Sequence, residues 1–268
     1  MTELSRLSEL AERLRALHRG PDALVLPNAW DAASAQAVVE AGFPCVATTS
    51  SGAATSLGWA DGEDTPPEEM FAALARIARV IDVPLTADIE AGYSLTPDEI
   101  VQRLLAAGAV GCNLEDTDHR GGHVLRAAEQ QADTLAAVRR AADSAGVRIV
   151  INARADVFLR AADGRSAPNA TAGAATAMEE AIRRGRLYLE AGADCIFPIG
   201  APDESAITAL ADGIPGPINV IAGFRGAPGV RRLKELGVRR ISFAGRLHRA
   251  AFDEHKRRLA AIARGEEI

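Results

Sequence analysis

One local pattern recurs five times along the 268 residues: a helical segment, a glycine, one or two residues, then an apolar run rich in Val and Ile. It reads VVEAGFPCVATTS, LLAAGAVGCNLED, ADSAGVRIVINARAD, YLEAGADCIFPIG and LKELGVRRISFAG. Gly42, Gly108, Gly146, Gly192 and Gly237 stand where a helix C-terminus needs the left-handed backbone that glycine adopts cheaply, so each marks a helix-to-strand junction. Adding ALVLPNA, VPLTADIE and INVIAG gives eight strand segments, each beside a helical pattern. Short apolar strands alternating with helices predict a parallel sheet, and eight units predict an α/β fold of the (β/α)8 TIM-barrel type, one domain over residues 1–268. A doubly wound open sheet is the architecture that the pattern leaves as an alternative.

The balance of 30 Lys and Arg against 36 Asp and Glu, a formal charge of -6, argues against nucleic acid or an anionic membrane as partner. No uncharged apolar run approaches the ~20 residues of a membrane span. MTELSRLSELAERLRALHRG is amphipathic and predicts an extra N-terminal helix, and the chain reads as cytoplasmic. Cys45, Cys112 and Cys195 lack metal-site spacing and read as buried, reduced thiols. His18, His248 and His255 lie in charged amphipathic segments and read as surface residues. The stretch Arg160 to Ala177, RAADGRSAPNATAGAATA, predicts a loop before a helix starting near Met178. It is either a lid or an idle insertion.

The polar residues fall at strand ends. In TADIE, Thr86, Asp88 and Glu90 share one face of an extended strand; Asn113 and Glu115 do so in GCNLED, and Asn152, Arg154 and Asp156 in INARAD. The C-terminal rim is where barrels of this type carry their chemistry. Asp116 and Asp156 have helix capping as an alternative. Carboxylates aimed into one small volume raise one another's pKa unless a divalent cation compensates them, and an all-oxygen set favours Mg2+ or Mn2+. Arg154 offers a planar fork for a substrate carboxylate, or a salt bridge to Glu115 or Glu90. ATTSSG places Thr48, Thr49, Ser50 and Ser51 on the same rim as an anion cradle or a plain turn, and GWADGED adds Asp61. His119 and His123, four apart in EDTDHRGGH, suggest a transition-metal pair or, because Gly-Gly interrupts any helix, a solvated loop.

These motifs, in this order, resemble the isocitrate lyase and phosphoenolpyruvate mutase superfamily. The likeness runs from LPNAWDAASA through ATTSSGAATSLGWADGE, VPLTADIEAGYS, GAVGCNLED and INARADVFL to EAGADCIFP. The resemblance implies a (β/α)8 barrel, a homo-oligomer (dimer or dimer of dimers), and an eighth helix, RLHRAAFDEHKRRLAAIARGEEI, exchanged between subunits. It implies a Mg2+ ion held by Asp61, Asp88 and Glu115, with Asp88 as the second acid of the family's Asp-x-Asp. The first acid is then Thr86, which moves the expected metal site toward Glu90. Arg154 corresponds to the arginine that grips substrate, and Thr48, Thr49 and Ser50 to the segment binding its carboxylate, with Asn113 a further substrate contact. The loop DTDHRGGHVLRAAEQ lacks the cysteine of the lyases and the asparagine of the mutases. The expectation is therefore a Mg2+-dependent lyase breaking a C-C bond in a small 2-oxo or 2-hydroxy carboxylic acid by decarboxylation or retro-aldol cleavage. Arg154 and Asp61 would serve it, with His119, His123 or water moving the proton. The alternatives are an enzyme cleaving a P-C bond, as phosphonopyruvate hydrolases do, and a non-catalytic 2-oxo acid binder.

Overall fold

The computed structural model describes residues 2–162 and 174–266. Eight parallel strands form the frame: β1 (Leu24–Leu26, continuing as Asn28–Ala29), β2 (Val46–Thr48), β3 (Leu85–Asp88), β4 (Gly111–Glu115), β5 (Val150–Ala155), β6 (Cys195–Pro198), β7 (Asn219–Ile221) and β8 (Arg240–Ser242). Each is followed by a helix, in order Ala32–Glu40, Pro67–Ala78, Pro97–Ala106, Ala128–Ser144, Ala174–Glu190, Glu204–Gly213, Val230–Glu235 and Arg246–Ala263, with Ser50–Leu57 inserted after β2.

The strands close on themselves. The first part of β1 pairs with β8 and the second with β2, and Pro27 between them, having no N–H to give a ladder, marks the switch. On the far side the bridge Ile196↔Ile218 joins β6 to the approach of β7. This is the predicted barrel, and the open sheet is excluded. All five junction glycines have the left-handed backbone, with φ of 85° at Gly42, 80° at Gly108, 74° at Gly146, 102° at Gly192 and 82° at Gly237.

The predicted N-terminal helix spans Glu3–Arg19 and plugs the N-terminal end of the barrel. Gly111 opens β4 there, and a Cβ on it would sit 2.8 Å from Leu14 Cδ2 and 3.1 Å from Thr86 Oγ1. Two of the expected surface histidines are instead buried. His18 exposes only 4% of its area, with Nδ1 2.8 Å from the Leu14 carbonyl and Nε2 3.1 Å from Arg240. Burial, followed by the Arg240 charge, pushes its pKa down to about 4, so it is neutral and accepts from Arg240. His248 packs between Trp30 and Phe252, while His255 is exposed as expected. The three cysteines are buried and unpaired. Of the Arg160–Ala177 stretch, residues 163–173 lie outside the described residues, and the following helix begins at Ala174 rather than near Met178.

Leu14 is fully buried at the floor. Leu14→Ala should cost about 2–5 kcal/mol of unfolding free energy in urea titrations. A loss under 1 kcal/mol would mean that the helix does not seal the barrel.

Candidate active site at the C-terminal rim

β3 ends at Asp88, and its carboxylate is tied to the end of β2. Asp88 Oδ2 accepts from the Ser50 N–H at 3.1 Å, and the Asp88 N–H donates to Thr48 Oγ1 at 2.8 Å. Asp88 Oδ1 is buried and has no hydrogen-bond partner. The Ser50 amide expected to bind a substrate carboxylate is thus taken by Asp88, and the Thr49 amide donates to Ala29 O at 3.1 Å.

Thr86 corrects the motif reading. It lies one layer lower, beside Gly111 and Leu14, near the floor rather than at the rim. The acid pair with the one-residue spacing at the rim is therefore Asp88-Ile89-Glu90, and its first member is an acid after all.

Glu90 reaches the rim by a route that pleating does not describe. The strand has already ended, and Glu90 sits in a turn at φ 52°, followed by Tyr93 at 55° and Ser94 at 57°. Its Oε2 accepts from the N–H groups of Gly62 and Glu63, both at 2.7 Å, and its Oε1 from the Tyr93 hydroxyl at 2.8 Å. Glu63 Oε1 in turn accepts from the Tyr93 N–H at 2.5 Å. Glu90 is therefore the clamp holding the Asp61 loop over the mouth, rather than a ligand with open oxygens. Burial, followed by the Asp61 charge, pushes its pKa up to about 8. Asp61 itself is solvent-exposed. Desolvation, followed by the neighbouring Asp88 charge, raises its pKa.

Glu115 and Arg154 are register partners on β4 and β5. The Arg154 guanidinium donates to Asp156 Oδ1 from Nε at 2.6 Å and to Asp156 Oδ2 from NH2 at 3.0 Å, while its NH1 forms an ion pair with Glu115 Oε2, which has no hydrogen-bond partner. The salt bridge to Glu115, one of the two readings of Arg154, is present. Burial works against the guanidinium charge, but the Asp156 and Glu115 carboxylates outweigh it and raise the Arg154 pKa. Burial pushes the Glu115 carboxyl up, with Arg154 opposing.

The loop after β4 is not simply solvated. Thr117–Asp118 and Val124–Leu125 pair as a hairpin, which turns His119 back so that its Nε2 lies 2.5 Å from Glu115 Oε1. Burial is the largest influence and lowers the His119 pKa, but that hydrogen bond together with the Glu115, Glu90 and Glu63 charges outweighs it, and the net shift is upward. His123 is exposed, with its Nδ1 3.4 Å from His119 Nδ1. Asn113 lies one layer below the rim, where its Oδ1 accepts from Asn152 at 2.8 Å and Arg240 at 3.2 Å.

Asp116 and Asp156, readable as helix caps, are parts of a buried relay. Asp116 Oδ1 accepts from the Asp156 N–H at 2.9 Å, while its Oδ2 accepts from Arg184 at 2.9 Å and the Tyr188 hydroxyl at 2.8 Å. Asp156 also accepts from Thr117 Oγ1 at 2.6 Å. Arg184 and Tyr188, on helix Ala174–Glu190, were invisible to motif reading. The only hint was a buried-looking Arg and Tyr spaced four apart, on one helical face.

Among the described residues no three acids, histidines or cysteines are gathered as a ready-made cation site. The sequence nevertheless matches the family model for phosphoenolpyruvate phosphomutase over residues 14–263. The chain belongs to the phosphoenolpyruvate phosphomutase family. An uncharacterized protein of Mycobacterium tuberculosis is 31% identical over 94% of this chain and 89% of its own length. The 2-methylisocitrate lyase of Bacillus subtilis is 29% identical over 80% of this chain and 67% of its own. Among solved structures, a putative phosphonomutase from Burkholderia cenocepacia superposes with a TM-score of 0.82 at 37% identity, covering 96% of this chain and 99% of that one. Membership of the phosphomutase family bears out the resemblance read from the motifs, and the barrel architecture with it.

The relay and the clamp give separate tests. Tyr188→Phe removes one buried hydrogen bond and should cost about 1–2 kcal/mol in urea, whereas Asp116→Asn strands Arg184 and should cost about 3–5 kcal/mol. Equal, small losses would mean that Asp116 bears no buried charge. Glu90 ionises in the unfolded chain near the usual glutamate value but in the folded chain only near about 8. Stability contributed by its neutral form is complete at low pH and is lost as pH rises through about 8. In metal-free buffer the unfolding free energy should fall between pH 5 and 8 more steeply for wild type than for Glu90→Gln. Parallel profiles would exclude this.

Proposed function

We propose that this chain is a metal-dependent carbon-carbon lyase acting on a small 2-oxo or 2-hydroxy carboxylic acid. The observation that carries the reading is the buried, unpartnered Asp88 Oδ1 at the C-terminal rim, on the same rim as the Glu115–Arg154 ion pair and within the field of the Asp61 charge. The donor set fits a hard divalent cation, Mg2+ or Mn2+, because it consists of carboxylate oxygens and includes the buried, unpartnered Asp88 Oδ1. Asp88 would hold the ion, with Asp61 and Glu115 completing the charge balance and Glu90 fixing the Asp61 loop. Bound there, the cation supplies a Lewis acid for the negative charge that develops on the 2-oxo fragment as the C-C bond breaks.

The chain's own groups do the rest. Arg154 has five N–H donors, of which hydrogen bonds to Asp156 engage two and the ion pair with Glu115 occupies a third, so two remain to orient a substrate carboxylate. The Asp116 relay holds Asp156, and through it the plane of the guanidinium. His119, in hydrogen-bond reach of Glu115 and beside the exposed His123, is able to carry a proton at the rim. Its presence supports turnover over passive binding of a 2-oxo acid. Decarboxylation places the smallest demand on such a group, since bond breaking there needs no positioned acid.

Cleavage of a P-C bond is the second reading, favoured by the 37% identity to a putative phosphonomutase. Phosphate release from a phosphonate would select it. The reading also extends to self-association through helix Arg246–Ala263, which leaves Leu247, Phe252, Leu259 and Ile262 exposed. Light scattering should then show an oligomer that Phe252→Asp with Leu259→Asp dissociates.

Oxalate, a planar mimic of a pyruvate enolate, tests the site directly. It should raise the melting midpoint of wild type in a concentration-dependent way only when Mg2+ is present, and should fail to do so for Asp88→Asn and Arg154→Lys. No shift under any condition would sink the lyase reading.

A further inference from the structure

The mouth of the barrel is chemically divided. From β2 round to β5 the rim carries Thr48, Asp88, Glu115 and Arg154. From β6 to β8 it carries a separate apolar cluster of Phe197, Ile199 and Ile221, 5%, 9% and 3% exposed, which does not merge with the main core.

Strand register sets where this cluster begins. Phe197 on β6 is the direct partner of Arg154 on β5, so it faces the interior from the strand beside the guanidinium. On β7, Ile221 lies two residues beyond Asn219, whose side chain donates to Ser242 Oγ on the neighbouring β8, so Ile221 lies on the same face one layer higher. The outer side of the cluster is formed by Leu159, Phe224 and Ala244, which are only half-buried and follow the ends of β5, β7 and β8.

Two close approaches fix that outer side. Gly200, at φ 84°, lets Leu159 come over the end of β6, since a Cβ there would lie 2.9 Å from Leu159 Cδ2. Gly226, at φ 92°, seats the Phe224 loop against the next one, since its Cβ would lie 2.5 Å from Pro202 O. The loop is therefore placed by backbone contacts, and Phe224 is held at the mouth rather than free to swing away.

We infer that the substrate of this site carries an apolar group, rather than a further carboxylate, on the side that extends from the carboxylate anchored by Arg154 toward β6, seated on Phe197, Ile221 and Phe224. The inference rests on Arg154 as the carboxylate anchor. A substrate held there and extending toward β6 meets hydrocarbon from the neighbouring strand onward. A carboxylate placed against Phe197 and Ile221 would lose hydration with no compensating partner, whereas an alkyl or aryl group gains by leaving water. The exposed Arg225, with its guanidinium 5.7 Å over the Phe224 ring, and the exposed Arg246, which donates to the Gly223 carbonyl at 2.6 Å, are the cations beside this loop that a competing dicarboxylate would use.

Isothermal titration with Mg2+ present separates the possibilities. The ligands are oxalate, pyruvate, 2-oxobutyrate, 2-oxopentanoate and 2-oxoglutarate, on wild type, Phe224→Ala and Ile221→Ala. Affinity should rise by up to about fourfold for each methylene added to pyruvate, and 2-oxopentanoate should exceed 2-oxoglutarate. Measured relative to oxalate in the same protein, that rise should shrink in both variants, of which Phe224→Ala removes a half-buried loop residue and spares the strands. If oxalate binds but the series is flat, or 2-oxoglutarate binds best, the apolar subsite is overturned while the enolate site stands. If oxalate fails to bind at all, both fall together.

Discussion

The arrangement at the rim depends on one buried guanidinium. Arg154 stands between Glu115 and Asp156, and without it two buried carboxylates would face each other across β4 and β5. Such charges are tolerable only when paired and hydrogen-bonded, and removing one partner leaves the others uncompensated. The relay behind it follows the same logic. Asp116 is fully buried because Arg184 and Tyr188 come to it from helix Ala174–Glu190, and its second oxygen fixes the Asp156 backbone. The charge assembly thus ties together β4, β5 and the helix after β5, and the orientation of the Arg154 guanidinium is set from outside the barrel.

Much of this was legible in the chain because it is local. The glycine junctions report backbone conformation, which a few neighbouring residues decide, and all five behave as read. The rim positions of Asp88, Glu115 and Arg154 follow from strand ends and the period of two. What could not be read depends on distant partners or on where regular geometry stops. The level of Thr86 in the barrel is fixed by Leu14 of the N-terminal helix, a contact with no trace in TADIE itself. Glu90 misleads because period-two reasoning assumes an extended backbone, and its φ of 52° ends the strand two residues earlier than the pattern suggests. His18 looked exposed because it sits among charges, but its partner Arg240 is 222 residues away.

The clamp shows how a barrel places a residue that no strand carries. Asp61 lies in a loop, and loops alone hold side chains loosely. Here the Gly62 and Glu63 amides are captured by Glu90, and Glu63 captures the Tyr93 amide in return. Two turns with left-handed residues are locked against each other by three hydrogen bonds, and the Tyr93 hydroxyl braces Glu90 from within its own turn. The strain of φ values of 65° at Glu63 and 52° at Glu90 is offset by those bonds. An acid spent on holding a loop is unavailable as an open ligand, so carboxylates at the rim cannot be counted as ligands merely by their convergence.

The division of the mouth explains how one architecture separates reaction from selectivity. The charged half is built on consecutive strands, β2 to β5, whose register fixes Asp88, Glu115 and Arg154 relative to one another. The apolar half belongs to β6, β7 and β8 and to the loops after them, where replacement of a side chain leaves the charge assembly untouched. A chain can therefore retain the groups that handle developing negative charge while its remaining strands respond to a different substrate tail. Phe197 beside Arg154 is the seam between the two halves. Its identity, more than that of any acid at the rim, decides what may extend past the anchored carboxylate.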